Sequence, residues 1–178
     1  VRDYALLRIA ADGTVTVDVD KPIVSGGLEG PANHDGGGIR FGPDGKLYAV
    51  DSGRGFLVEV DKETGDLRDI AFCPGFLRGL AIINGFALVT VSKPRYGKFE
   101  SMPIADEMEK RNQDPICAVL VIDLAKGEIA EWIRFEGDVQ ELFTVELMPG
   151  IKCPMVVGPQ TEEFAETITF KAKIAPLA

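Results

Sequence analysis

Gly79-Leu80-Ala81-Ile82, a turn at Asn84-Gly85, and Ala87-Leu88-Val89-Thr90-Val91 make up the stretch from which the fold of this chain is read. Asn and Gly accept the positive φ that a tight turn needs, so the apolar runs on either side read as two antiparallel strands of one hairpin. The same order recurs on both sides. Gly38-Ile39-Arg40-Phe41 turns at Pro43-Asp44-Gly45 into Leu47-Tyr48-Ala49-Val50, and Leu142-Phe143-Thr144-Val145 turns at Pro149-Gly150 into a run from Cys153 to Val157.

A second kind of hairpin also recurs three times. Ala5-Leu6-Leu7-Arg8-Ile9 turns at Asp12-Gly13 into Thr14-Val15-Thr16-Val17. Phe56 to Val60 turns through Lys62-Glu63-Thr64-Gly65 into Leu67 to Phe72, and Ala118 to Ile122 turns through Ala125-Lys126-Gly127 into Ile129 to Phe135. These outer hairpins alternate polar with apolar side chains, as half-exposed strands do, whereas the first kind is more uniformly apolar. An inner pair followed by an outer pair is a four-stranded meander of about 40 residues, the unit of a β-propeller blade.

Two such blades are complete, 38–72 and 79–135, the second enlarged by an insertion at 94–115 whose Ile104 to Arg111 is a short helix candidate. The ends are complementary: an outer hairpin at 4–19, and inner strands at 142–174. Together they complete a third blade, fewer than the roughly four to eight of a closed ring. The expected architecture is therefore an all-β half-propeller of about three blade equivalents, forming one domain over 1–178 and closing a six-bladed ring by homodimerisation. The rival is a monomer of open or different β architecture.

Composition fits an ordinary globular chain: 178 residues, 46% hydrophobic and 26% charged, with twenty Gly and eleven Pro marking many turns. A net charge of −9 repels phosphate backbones and anionic membranes, so neither nucleic acid nor membrane is an expected partner. Cys73, Cys117 and Cys153 lack paired zinc spacing and read as reduced, mostly buried thiols, in keeping with a cytoplasmic location. The first residues, Val1-Arg2-Asp3-Tyr4, lack a signal-peptide pattern, and the missing initiator Met suggests a trimmed or excised piece.

From Gly53 onward the wording resembles the C-terminal half of an uncharacterised bacterial β-propeller family. The resemblance rests on Asp51-Ser52-Gly53-Arg54-Gly55, Cys73-Pro74-Gly75-Phe76-Leu77-Arg78-Gly79-Leu80, Ser92-Lys93-Pro94-Arg95, Pro103-Ile104-Ala105-Asp106, Trp132-Ile133-Arg134-Phe135-Glu136-Gly137 and Glu141-Leu142-Phe143. It implies the fold and brings no reaction. Residues 33–48, Asn33-His34-Asp35-Gly36-Gly37-Gly38 followed by Ile39 to Tyr48, are similar to soluble quinone-dependent sugar dehydrogenases and to gluconolactonase-type propellers. That resemblance implies His34 as the catalytic base, with a quinone or calcium as cofactor, although the quinone-holding basic residues and the calcium loop have no counterpart. A junction near 50–55 would make the chain a recombinant of two propellers.

In such a ring the loops before each inner strand and after each second strand share one face. Aligned repeats place Asn33, His34 and Asp35 level with Leu77 and Arg78, and with Gln140 and Glu141. The exit loops place Asp51 and Arg54 level with Lys93 and Arg95, and with Gln160 and Thr161. Asp35, Asp51, Arg54, Arg78, Lys93, Arg95, Glu141 and Gln160 are thus candidate ligand-binding residues for a polar small molecule, such as a sugar acid or another carboxylate held by Arg forks. Asn33, Asp35 and Glu141 are also candidate oxygen ligands for calcium. Each has a plainer reading: His34 as a turn residue, the Asp side chains as turn caps, the cations as surface charges. No dedicated metal set and no hydrolase triad is legible. Trp132, Phe135, Phe72 and Ile70 are expected to fill space between blades. The leading expectation is a self-associating scaffold or binding module with a polar axial face. The alternative is a propeller enzyme, either a sugar oxidoreductase or a metal-dependent lactonase.

Overall fold

The computed structural model describes residues 7–9, 14–17, 38–99 and 101–152 of the chain, with 7–9 and 15–17 described by their backbone alone. Strands β1 (Leu7–Ile9) and β2 (Val15–Val17) pair antiparallel, Leu7 opposite Val17 and Ile9 opposite Val15. The next eight strands form two four-stranded antiparallel meanders. β3 (Ile39–Phe41), β4 (Leu47–Asp51), β5 (Phe56–Val60) and β6 (Leu67–Phe72) lie side by side in chain order. So do β7 (Phe76–Ile83), β8 (Phe86–Ser92), β9 (Ala118–Asp123) and β10 (Glu128–Arg134). The all-β expectation of repeated four-stranded meanders holds at this level.

Local chemistry sets the turns. Asn84 and Gly85, with φ of 50° and 81°, supply the two positive φ angles of a primed turn between β7 and β8. Two aspartates do one job in both sheets: the Asp61 side chain accepts from the Glu63 and Thr64 amides after β5, and that of Asp123 from Ala125 and Lys126 after β9.

The two sheets stack face to face, β7 against β3 and β4, and β10 against β6. Period-two alternation decides what meets there. Ala118, Leu120 and Ile122 of β9, with Leu77, Leu80, Ala87, Val89 and Val91, pack against Tyr48, Val50, Leu57, Ala71 and Cys73 of the first sheet. Burying each large aliphatic side chain in such a core stabilises the fold by roughly 1.5–3 kcal/mol. A Cβ on Gly38 would lie 2.7 Å from Leu80 Cβ, so the start of β3 needs glycine to approach β7. Cys73 and Cys117 are buried free thiols, and burial pushes Cys73 up to about 12; Cys153 lies outside the described residues.

The insertion between β8 and β9 contains helix α1 (Pro103–Arg111). Ile104 and Met108, on one face of α1, join Phe99 and Met102 in a second apolar cluster with Phe72 and Phe76. Ile104 sits over Gly55, where an added Cβ would lie 2.9 Å from it, and the Ile104 amide donates to the Gly53 carbonyl at 2.9 Å. The helix thereby fastens the second sheet to the turn between β4 and β5.

Three expectations change. Strand β7 begins at Phe76 rather than Gly79, because the register shifts between Leu77 and Leu80 and this bulge lets pairing with β8 continue to Ser92. Residues 142–148 form no strand; Leu142 is held by the Ser92 side chain instead of a ladder, and the run expected to pair with it, 153–157, lies outside the described residues. Trp132 does not fill the space between sheets: it is 60% exposed on β10, the edge strand of its sheet. Ile70 does pack on the shared core, and Phe72 turns to α1 and to Phe56, edge to face at 5.4 Å.

The chain divides into two compact units, Val1–Glu146 and Leu147–Ala178; of the second, residues 147–152 are described and turn at Pro149-Gly150. Among the described residues no helix is long and apolar enough to cross a membrane.

Candidate functional site

Because the strands alternate in direction, the β4–β5 turn, the β6–β7 link, the β8–β9 insertion and the segment after β10 all lie at one end of the two sheets. Asp51, Arg54, Arg78, Lys93, Arg95 and Glu141 lie at that end. His34, Asp35 and Gln160, with Asn33 and Thr161, lie outside the described residues.

The bulge in β7 builds the site. There the Gly79 amide donates to the Thr90 hydroxyl at 2.7 Å, a buried contact that replaces a ladder bond. A Cβ at Gly79 would stand 2.6 Å from Thr144 Cα, so this glycine lets residues 141–145 run close against the strand. The segment is then tied by its backbone. The Lys93 amide donates to the Gln140 carbonyl at 2.9 Å, and the Ser92 hydroxyl both donates to the Leu142 carbonyl (3.1 Å) and accepts from its amide (3.0 Å).

This path brings Glu141 to two arginines. Arg95 holds the carboxylate with two bonds, Nε to Oε1 at 2.8 Å and Nη2 to Oε2 at 2.9 Å, and Arg78 Nη2 adds a third to Oε2 at 3.0 Å. The Arg78 guanidinium lies over the rings of Phe76 and Phe143, 5.0 and 4.7 Å from their centroids, contacts that favour this position. Its Nε is buried with no hydrogen-bond partner, a donor whose loss of water costs roughly 1–3 kcal/mol. Bonding to Arg95, reinforced by both positive charges, holds the Glu141 carboxyl below the usual range despite some desolvation. The same bond raises Arg95. Arg78 is lowered by burial and by the like charge of Arg95, against the pull of Glu141. The Lys93 side chain forms no ion pair among the described residues, and the Glu141 carboxylate faces two guanidinium groups on a chain of net charge −9.

Asp51 and Arg54 make a separate group, with no hydrogen bond or ion pair to the first. The fully buried Asp51 carboxylate accepts from Arg54 Nε at 2.7 Å and from the Arg54 amide at 3.1 Å. Arg54 also pairs with Asp69 and lies 5.3 Å over the Phe56 ring, leaning toward the outer strands. Burial raises Asp51, while the Arg54 bonds oppose that rise. Its geometry is that of a turn lock.

The alignment of repeats did not single out Phe76 and Phe143, yet a signal was there. Each stands two residues from a charged candidate, in Phe76-Leu77-Arg78 and Glu141-Leu142-Phe143, the spacing that places side chains on one face of an extended chain. Ser92, Thr90 and Gly79 had no such signal, since their roles depend on contacts far along the chain. Among the described residues no three His, Cys, Asp or Glu side chains gather to hold a metal ion.

A family model described as a domain of unknown function, DUF4915, matches residues 11–157. No curated protein and no solved structure matches the chain.

Proposed function

Since the chain belongs to the DUF4915 family, whose description carries no reaction, its own residues must supply the functional reading, and we propose that it is a self-associating β-propeller module that binds a small polar ligand at its arginine-bearing end. On this reading two copies combine into a six-bladed ring. The observation that carries it is the stacking of two meanders with the same strand order and the same aspartate-led outer turns, sharing one core. Stacked blades favour closure, because a ring leaves no open sheet face at either end. The concentration of cations at one end supports the ligand, since arginines held by aromatic rings are suited to recognising planar anions.

Native mass spectrometry of the full chain, and of a chain lacking residues 1–20, tests the assembly. The expected result is a species of twice the chain mass that reverts to a monomer on deletion. A full-length monomer, or an oligomer unchanged by the deletion, overturns the ring.

A further inference from the structure

Arg95 meets Glu141 side on, offering two parallel N–H groups to two carboxylate oxygens, so the fork is already set at carboxylate spacing. Arg78 adds a third donor from a guanidinium in contact with two rings, and has a buried Nε without a partner. Two guanidinium charges thus share the single negative charge of Glu141.

We propose that Arg78 and Arg95 form a binding fork for a small carboxylate ligand, and that Glu141 is an internal occupant which that ligand displaces. The inference rests on the reading of this end as a ligand-binding face and names the ligand class. Exchange requires only a side-chain swing. Gln140 and Leu142 hold the backbone through Lys93 and Ser92 whether or not the carboxylate is engaged. Glu141 is about a quarter exposed and Arg95 more than half, so the fork opens to solvent on the Arg95 side. A tethered carboxylate competes at an effective concentration of the order of millimolar or above, which makes the outside ligand bind weakly until Glu141 is removed.

The probe is malonate, with acetate as a single-carboxylate arm, titrated calorimetrically into the full chain, Glu141→Gln, and Glu141→Gln with Arg95→Gln. Malonate is expected to half-saturate Glu141→Gln at a concentration at least tenfold below that for the unaltered chain, with acetate weaker, and to lose that gain in the double variant. Equal affinity in Glu141→Gln and the unaltered chain, or retention of tight binding without Arg95, overturns the proposal. Arg95→Lys in the Glu141→Gln background keeps the charge and removes the fork, with no internal carboxylate left to compete. It weakens malonate at least fivefold relative to Glu141→Gln if the fork is the site and leaves it unchanged if it is not. Native mass spectra of the same samples report the assembly separately, so failure to bind within an intact dimer overturns the fork alone.

Discussion

The Ser52 hydroxyl, just after β4, donates to the Leu77 carbonyl oxygen near the start of β7 at 2.7 Å, a buried bond that joins the two sheets directly. With the Ile104 amide on the Gly53 carbonyl, it pins the β4–β5 turn to the second sheet at the end that carries the arginines. Replacing Ser52 by Ala removes a donor from a fully buried position. The expected cost is about 1–2 kcal/mol, read as a lower urea midpoint at unchanged slope.

Ile104→Ala should cost about 2–4 kcal/mol, because the side chain is fully buried between Gly55 and Phe72 and its removal leaves a cavity the helix cannot close. Amide hydrogen exchange should accelerate at Gly55 and Cys73 beyond what the global loss explains. Uniform acceleration would mean that α1 does not fasten that turn.

Arg54→Ala leaves the buried Asp51 carboxylate without its guanidinium partner. Discounted for the partial exposure of Arg54, a loss of about 1–3 kcal/mol is expected, and Asp51→Asn in the same background should recover part of it. A double-mutant cycle in urea measures the coupling. A coupling near zero would show that the pair contributes no net stability.

Gly79→Ala places a methyl group against the backbone of Thr144 and Val145, atoms that move only if the whole segment moves. A loss of about 1–3 kcal/mol is expected, together with faster proteolytic cleavage within 141–146. Cleavage at the original rate would mean that the close approach is dispensable.

The arginines hold Glu141 below its ordinary 4.5, so the sign of the pH effect follows. A depressed folded-state value contributes stability that is fully present above 4.5 and is lost as pH falls through the lower folded value. The unaltered chain should therefore show a component of acid destabilisation below that range that Glu141→Gln lacks. Superimposable difference curves would show that the ion pairs contribute nothing to folding.

Much of the fold was legible in local chemistry. Asn84-Gly85, Pro43-Asp44-Gly45 and the glycine-ended outer turns at 62–65 and 125–127 fix hairpins within a few residues, and period-two alternation assigns a face to each strand. The helix at Pro103–Arg111 was legible from its helix-forming residues. Residues 142–145 read as a strand from their apolar run alone, whereas the segment is held through the Ser92 hydroxyl, which bonds both the amide and the carbonyl of Leu142 from 50 positions away. The exposure of Trp132 was not legible, because period-two alternation assigns a side chain to a face of its strand without saying whether another sheet covers that face.

The candidate site divides in the same way. The sequence determined which charges stand at one end of the meanders, since antiparallel order sends alternate connections there whatever their contents. Only the tertiary structure decided that Arg78 meets Glu141, 63 positions away, while Asp51 closes on Arg54 three positions on. Hairpins arise from φ preferences and neighbours a few residues apart, whereas the Arg78–Arg95–Glu141 cluster exists because a bulge, a glycine without Cβ and one serine hydroxyl bring distant segments within hydrogen-bonding distance.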